Sequence, residues 1–256
     1  MKKPVNTETL KKNIVYNKDF IEKNNLNYKN ILEPFHKKWI LIGASPTLDY
    51  SFEKIKTLQK HGFHIAACDM AVYPLFFQGI YPDFIFSVES KPVLFFMKKK
   101  YLNNQNIKDA CLLFPASVHP YQIRQAQKLG FEKYIFFNWE TDINKNEKLI
   151  TLPSGGSVFN AMTAFFGGLK DVQLTFAGND LKFVNHNLYA KGAMGTEKLR
   201  QKENRFWNTQ NYHFRTNKSL QVNINNEKTI PQFAEYKKWL NDYLKMLLET
   251  GRVTVV

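Results

Sequence analysis

The sequence predicts an α/β domain of Rossmann-like, doubly wound type, a mainly parallel sheet with helices on both faces, and three observations carry that expectation. Apolar runs of strand length alternate with helical patterns at short spacing, the pattern of strand–helix–strand units. The runs hold almost no polar residue, as in Trp39-Ile-Leu-Ile42 and Phe84-Ile-Phe86, which suits strands buried on both sides. The first run ends in a Gly43-Ala44-Ser45-Pro46 turn that opens a helix, the place where such folds bind ligands.

Gly43 lets the backbone turn sharply and approach a ligand, and Ser45 sets a hydroxyl where main-chain N–H groups begin to point outward. That arrangement suits a phosphate or nucleotide; a purely structural turn has the same spacing. A helix over 51–61 presents Phe52, Ile55 and Leu58 on one face, and Gly62 closes it. The second strand, 63–68, delivers Asp69, 26 residues after Gly43. Doubly wound folds place a ribose-binding carboxylate there, and a helix-capping acid stands there equally well. A short apolar helix over 70–78 follows, then Tyr81-Pro82-Asp83 and a third strand over 84–88 that ends on Glu89 and Ser90. Ser90 and Pro92 start a helix over 93–101. A fourth strand over 110–114, a helix over about 120–129 and a fifth strand over 133–137 continue the alternation.

The second informative turn is Leu152-Pro-Ser154-Gly155-Gly156-Ser157, followed at helical spacing by Val158, Ala161, Met162, Phe165 and Phe166. Two glycines at a helix N-terminus leave N–H groups bare for an anionic ligand. A sixth strand over 172–177 then brings Gly178-Asn179-Asp180 to the same carboxyl edge as the first turn. Three turns converging on that edge weigh more than any one of them. From 181 to 228 the periodicity dissolves into basic and aromatic residues, a candidate lid or acceptor-binding insertion. Such a mixture can stack on single strands of nucleic acid, yet no RNA-binding signature accompanies it, which ranks a small-molecule substrate first. Pro231 opens a last helix with the stripe Phe233, Tyr236, Leu240, Leu244 and Leu247, read as packing.

At 256 residues the chain can bury one sizeable core, read as a Rossmann-like domain over 38–256 behind a basic N-terminal arm or pair of helices over 1–37. That arm packs on the domain edge or meets another subunit of a homo-oligomer. Lys and Arg outnumber Asp and Glu by 36 to 22, which favours an anionic partner; solvated lysines spread along every helix give the same count. Cys68 and Cys111 lie in apolar runs without ligand spacing and read as buried thiols. No N-terminal apolar leader is present, and no run reaches the roughly 20 apolar residues of a membrane span. A cytoplasmic protein is expected.

The order Gly43-Ala-Ser-Pro-Thr-Leu-Asp49, Cys68-Asp69-Met-Ala71, Tyr81-Pro-Asp83 with Ser87-Val-Glu89, Ser154-Gly-Gly-Ser157 and Ala177-Gly-Asn-Asp180-Leu181 resembles one family. It holds the motility accessory factor glycosyltransferases, which modify flagellin, and the archaeal 6-hydroxymethylpterin pyrophosphokinases. The resemblance spans about residues 38–190. More distantly the pattern is similar to bacterial sialyltransferases that use CMP-sialic acid. The resemblance implies a CMP-activated nonulosonic (sialic-type) sugar as donor and a hydroxyl acceptor on protein or glycan. It further implies that Gly43, Ala44, Ser45 and Pro46 cradle phosphate, that Asp69 touches ribose or base, and that Glu89 faces the donor. Ser154, Gly155, Gly156 and Ser157 would hold a carboxylate or phosphate, with Gly178 and Asn179 beside them. Asp180 would lie beneath the transferred sugar and His186 would act as general base. Ala44 stands where the family often has Gly, and Glu89 where it more usually has Asp. Motility accessory factors are also much longer, so this chain matches little more than their central domain.

Three functions follow from these readings. The first is a glycosyltransferase that needs no metal or other cofactor, because helix N-termini and cations stabilise a departing CMP. The second is an ATP-dependent pyrophosphokinase of the 6-hydroxymethylpterin type, which requires Mg²⁺ on clustered carboxylates; Ser-Val-Glu89-Ser-Lys91 lacks the acidic pair expected at that point. The third is a non-catalytic nucleotide- or RNA-binding domain, supported by the +14 charge.

Overall fold

Alternate residues along each central strand face two different cores, which is why the strands carry no polar side. The computed structural model describes residues 7–33, 35, 37–91, 109–142, 145–193, 221–224, 226–251 and 253–255. Helices α1 (Thr7–Asn24) and α2 (Tyr28–Leu32) precede β1 (Lys38–Ile42), α3 (Phe52–Lys60), β2 (His64–Cys68), α4 (Val72–Phe77) and β3 (Phe84–Phe86). Then come β4 (Cys111–Pro115), α5 (Pro120–Lys128), β5 (Tyr134–Trp139), β6 (Ile150–Leu152), α6 (Val158–Gly167) and β7 (Val172–Ala177). A hairpin of β8 (Val222–Ile224) and β9 (Glu227–Thr229) leads to α7 (Pro231–Glu249) and β10 (Val253–Val255).

Among the described residues eight strands form one sheet in the order β10-β7-β1-β2-β3-β4-β5-β6, parallel at every pairing. The chain winds outward from β1 to β6 and then returns to the other side of β1 as β7. The strand order therefore reverses between β1 and β7, the switch point at which open sheets form their crevice.

On one face Trp39, Leu41, Phe84, Phe86, Leu113 and Phe137 pack with Phe165 and Phe166 of α6. On the other, Ile40, Ile42, Ile65 and Leu48 meet α3 and α4, while Ile85, Leu112, Phe114 and Phe136 meet α1 and α5. Each large apolar side chain so buried contributes about 1.5–3 kcal/mol. Helix α6 is buried nearly all round, at nine of its ten residues, because α7 covers the side that the sheet does not. Gly167 lets the two helices close, its missing Cβ replaced by Leu247.

The doubly wound fold with helices on both faces stands as the sequence predicts, and so does the closing helix from Pro231. Four short strands escaped prediction. Strand β6 is a half-exposed edge of three residues, β10 pairs only through Val253–Val255, and β8–β9 turns at Asn226, whose backbone is left-handed at φ 63°. Segments this short carry no periodicity. The third strand ends at Phe86; the Ser87 N–H still donates to the Leu113 carbonyl of β4, and its hydroxyl turns to Asp69 at the carboxyl edge. The expected helix over 93–101 and residues 194–220 of the insertion lie outside the described residues.

Gly178→Ala tests the sheet centre. The left-handed backbone at Gly178 (φ 61°) costs an L side chain about 1–2 kcal/mol. The new Cβ would also lie 2.5 Å from the Gly43 carbonyl oxygen. Urea unfolding should report at least about 2 kcal/mol lost.

Candidate functional site

The carboxyl ends of β1 and β7 meet at two glycines. The Gly43 N–H donates to the Ala177 carbonyl at 2.9 Å and the Ser45 N–H to the Gly178 carbonyl at 2.8 Å. A Cβ on either glycine would overlap the other's carbonyl oxygen. The room at Gly43, read from sequence as space for a ligand, is thus filled by Gly178. Ser45 and Pro46 begin a 3₁₀ turn, Pro46–Tyr50, and Ser45 makes no capping bond. Asp180 accepts from both the backbone N–H (3.0 Å) and the hydroxyl (2.7 Å) of Thr47. Its carboxylate therefore fixes the first turn. Thr47 went unnoticed in the sequence, where nothing marks a threonine in a turn as the partner of an acid 133 residues away. Thr47, Ser51, Gly178, Asn179, Asp180 and Lys237 line part of a cavity of about 340 Å³ here.

At the ends of β2 and β3 lies an acidic floor. Asp69 is buried, accepting from the Met70 N–H at 2.8 Å and sharing a 2.6 Å hydrogen bond with the Ser87 hydroxyl. Burial, opposed by the Ser87 bond and reinforced by the nearby Glu89 charge, raises its carboxyl to about 7. Two phenols face this floor. Burial, together with the fields of Tyr236, Asp69 and Glu89, raises Tyr189 above its ordinary value. Burial likewise raises Tyr236, opposed by its bond from Gln232 and supported by Glu235 and Glu89.

The second turn stands beside these groups. Ser157 caps α6, its hydroxyl accepting from the Asn160 N–H at 3.1 Å, and Ser154 is exposed with its N–H bound to Glu140. Phe159, the second residue of α6, would lie 3.2 Å from a Cβ on Gly43, so the first and second turns adjoin. Trp239 packs on Gly155 and Tyr236 on Gly156. The space expected for a ligand at these glycines is taken by rings of α7. That helix is more than packing: it carries Tyr236 to the turn and to Glu89. Trp239 in turn stacks on Tyr243 at 4.8 Å.

His186 is exposed in a tight turn with left-handed backbone at Asn185 and His186 (φ 47° and 63°), closed by paired bonds between Val184 and Asn187. The same strap runs back over the first turn, where the Ala190 N–H donates to the Ala44 carbonyl at 2.8 Å. The Lys191 N–H reaches Asp49 at 3.1 Å. The start of the insertion is thus anchored to the switch point. A second set of residues that sequence reasoning missed lies on α1. Buried Asn13 donates to the carbonyls of Ser90 and Ser117, and buried Asn17 to those of Ala116 and Val118. These four bonds hold the loops after β3 and β4. The only signal was two asparagines four apart on a helix.

Fold and site together define an open α/β domain whose turns gather at one switch-point edge over an acid-and-phenol floor. The chain belongs to the 6-hydroxymethylpterin diphosphokinase MptE-like family, whose model matches residues 8–186. Among solved structures it is similar to the MAf glycosyltransferase from Magnetospirillum magneticum AMB-1, at TM-score 0.55 and 16% identity. That likeness covers 87% of this chain and 34% of that one, so this chain spans about a third of the length of its neighbour. No curated protein matches it. Among the described residues no helix is long and apolar enough to cross a membrane.

The raised carboxyl of Asp69 has a consequence for stability. The folded state binds its proton more tightly than the unfolded chain does, so this contribution is full below about pH 4 and is lost as pH rises towards about 7. The stability difference between the native protein and Asp69→Asn, followed by urea unfolding from pH 4 to pH 8, should move against the native protein.

Proposed function

We propose that this protein is a transferase of glycosyltransferase type, moving an acidic sugar of the sialic class from a CMP donor to a hydroxyl acceptor. The observation that carries the reading is the convergence of the first turn, the α6 N-terminus and the Asp69–Glu89 floor beneath Tyr189 and Tyr236. The likeness to a MAf glycosyltransferase over 87% of this chain supports it. In this reading the N–H groups at the α6 N-terminus, beside Ser157, receive the donor phosphate, with Ala44, Ser45, Pro46, Ser154, Gly155 and Gly156 shaping the approach. Glu89 meets the sugar and Tyr236 offers a ring to the base, while Asp69, read from the sequence as a ribose contact, lies buried with its oxygens on Ser87 and Met70. Asn179 and Asp180 hold the floor under the anomeric carbon, Asp180 acting through Thr47. The acceptor oxygen attacks that carbon, the bond to the CMP oxygen breaks, and CMP leaves as its phosphate anion. His186 takes the acceptor proton, and no metal is needed in this scheme.

The family match favours a second reading, an ATP- and Mg²⁺-dependent pyrophosphokinase acting on a pterin-like alcohol. Calorimetric titration with CMP, and with ATP plus Mg²⁺, each with and without EDTA, separates the two. CMP binding that survives EDTA and weakens at least tenfold in Ser157→Ala is the expected result; binding of ATP only with Mg²⁺ would favour the kinase. With a sugar donor in hand, His186→Ala should lower turnover by about 10²–10⁴ while CMP still binds. Unchanged turnover would remove His186 from the mechanism.

A further inference from the structure

The hydrogen bonds beneath the site do not balance if Asp69 is a carboxylate. The Ser87 hydroxyl lies 2.6 Å from Asp69 Oδ2 and 3.1 Å from Gln122 Oε1, and all three side chains are buried, each at 2% exposure or less. Gln122 cannot turn its amide round, because its Nε2 donates to the backbone carbonyls of Glu89 (3.1 Å) and Lys91 (3.4 Å). Reversing it would set an oxygen against two oxygens. Two acceptors therefore face one hydroxyl, which has one proton to give. If Asp69 is ionised, either its oxygen or that of Gln122 is left facing a lone pair in a buried place, at a cost of about 1–3 kcal/mol. One added proton resolves the conflict. Asp69 then donates to Ser87, and Ser87 donates to Gln122.

The groups that face Asp69 favour the same state. Glu89, in the loop after β3, adds its charge to the rise in Asp69, Tyr189 from the strap after β7 is a phenol that burial keeps neutral, and Cys68 beside it is a buried thiol. From α5 the side chain that reaches in is the neutral Gln122, while Lys91 contributes its carbonyl and is itself exposed.

We propose that Asp69 is a positioning residue that holds a proton through the chain Asp69–Ser87–Gln122, so that the site floor carries one negative charge, on Glu89, when an anionic donor binds. The proton stands on the hydrogen-bond count alone; its link to a donor rests on the transferase reading above. Once Asp69 ionises, the floor carries two negative charges and the Ser87 hydroxyl turns away from Gln122. The backbone carbonyls of Glu89 and Lys91, held by that same amide, then lose their fixed place. Loss of the proton thus weakens binding of a nucleotide phosphate by charge and by geometry together.

The test uses the full chain labelled with ¹³C at aspartate carboxyls and titrated by NMR without ligand. One Asp signal, assigned by its loss in Asp69→Asn, should titrate near neutrality; a signal already ionised by pH 5 would overturn the proposal. Replacing Gln122 by Met removes the second acceptor and should move that midpoint down, whereas an unchanged midpoint would overturn the proton chain. In parallel, CMP affinity of the native protein should fall roughly tenfold from pH 6 to pH 8, as the protonated fraction falls. The ratio of the two affinities should stay near one in Asp69→Asn, whose amide keeps the Ser87 bond at every pH. An equal fall in that variant would overturn the role in binding. If the carboxyl titrates as expected and CMP binds at neither pH, the donor reading fails and the proton chain stands.

Discussion

The structure depends on the contact of two backbones at the switch point. Strands β1 and β7 run side by side until Gly43 and Gly178, where each carbonyl fills the volume a side chain would need on the other. This closeness sets the Ser45 N–H on the Gly178 carbonyl and brings Asp180 within reach of Thr47. It also lets Phe159 bring the start of α6 up to the same turn. A phosphate-cradling turn is usually explained by what a ligand needs. Here the glycines answer first to the chain itself, and the N–H groups of Gly43, Ser45 and Thr47 are all bonded within it.

The long-range charge of the molecule and the charge of its site have opposite signs. The sequence carries +14 overall, yet the groups that gather beneath the switch-point edge are two carboxyls and two phenols. Lysines near the edge are partly committed: Lys182 and Lys237 share Glu227 at 2.6 and 2.5 Å. Net charge therefore describes how the molecule meets other large ions and does not describe the floor on which a small ligand would rest.

How much could be read from the sequence follows from what local pattern encodes. Strands such as Trp39–Ile42 and Phe84–Phe86 announce themselves because burial on both faces forbids polar residues. The carboxyl-edge positions of Gly43, Asp69, Glu89, Ser157 and Asp180 follow from strand direction alone. What could not be read is what those residues touch. That Trp239 and Tyr236 occupy the space over Gly155 and Gly156, or that Asn13 and Asn17 bind loops 77 to 104 residues away, is decided by tertiary packing, which leaves no local period. His186 shows the same limit: its residue type invites a proton-transfer role, while its exposure in a left-handed turn is a matter of backbone that the sequence does not state.

The place of β1 in the sheet bears on how the protein is made. Its inner partner β2 follows within about thirty residues, but its other partner pairs Ile42 with Ala177, and β7 is itself flanked by Val253–Val255 near the end of the chain. A ribosome-bound chain that has completed β1 to β6 therefore presents the Lys38–Ile42 strand as an open edge, apolar on both faces beyond its first residue. Such an edge is a template for wrong pairing. The residues after α6 complete the crevice and, in the same step, close the one edge of the nascent sheet most prone to aggregate.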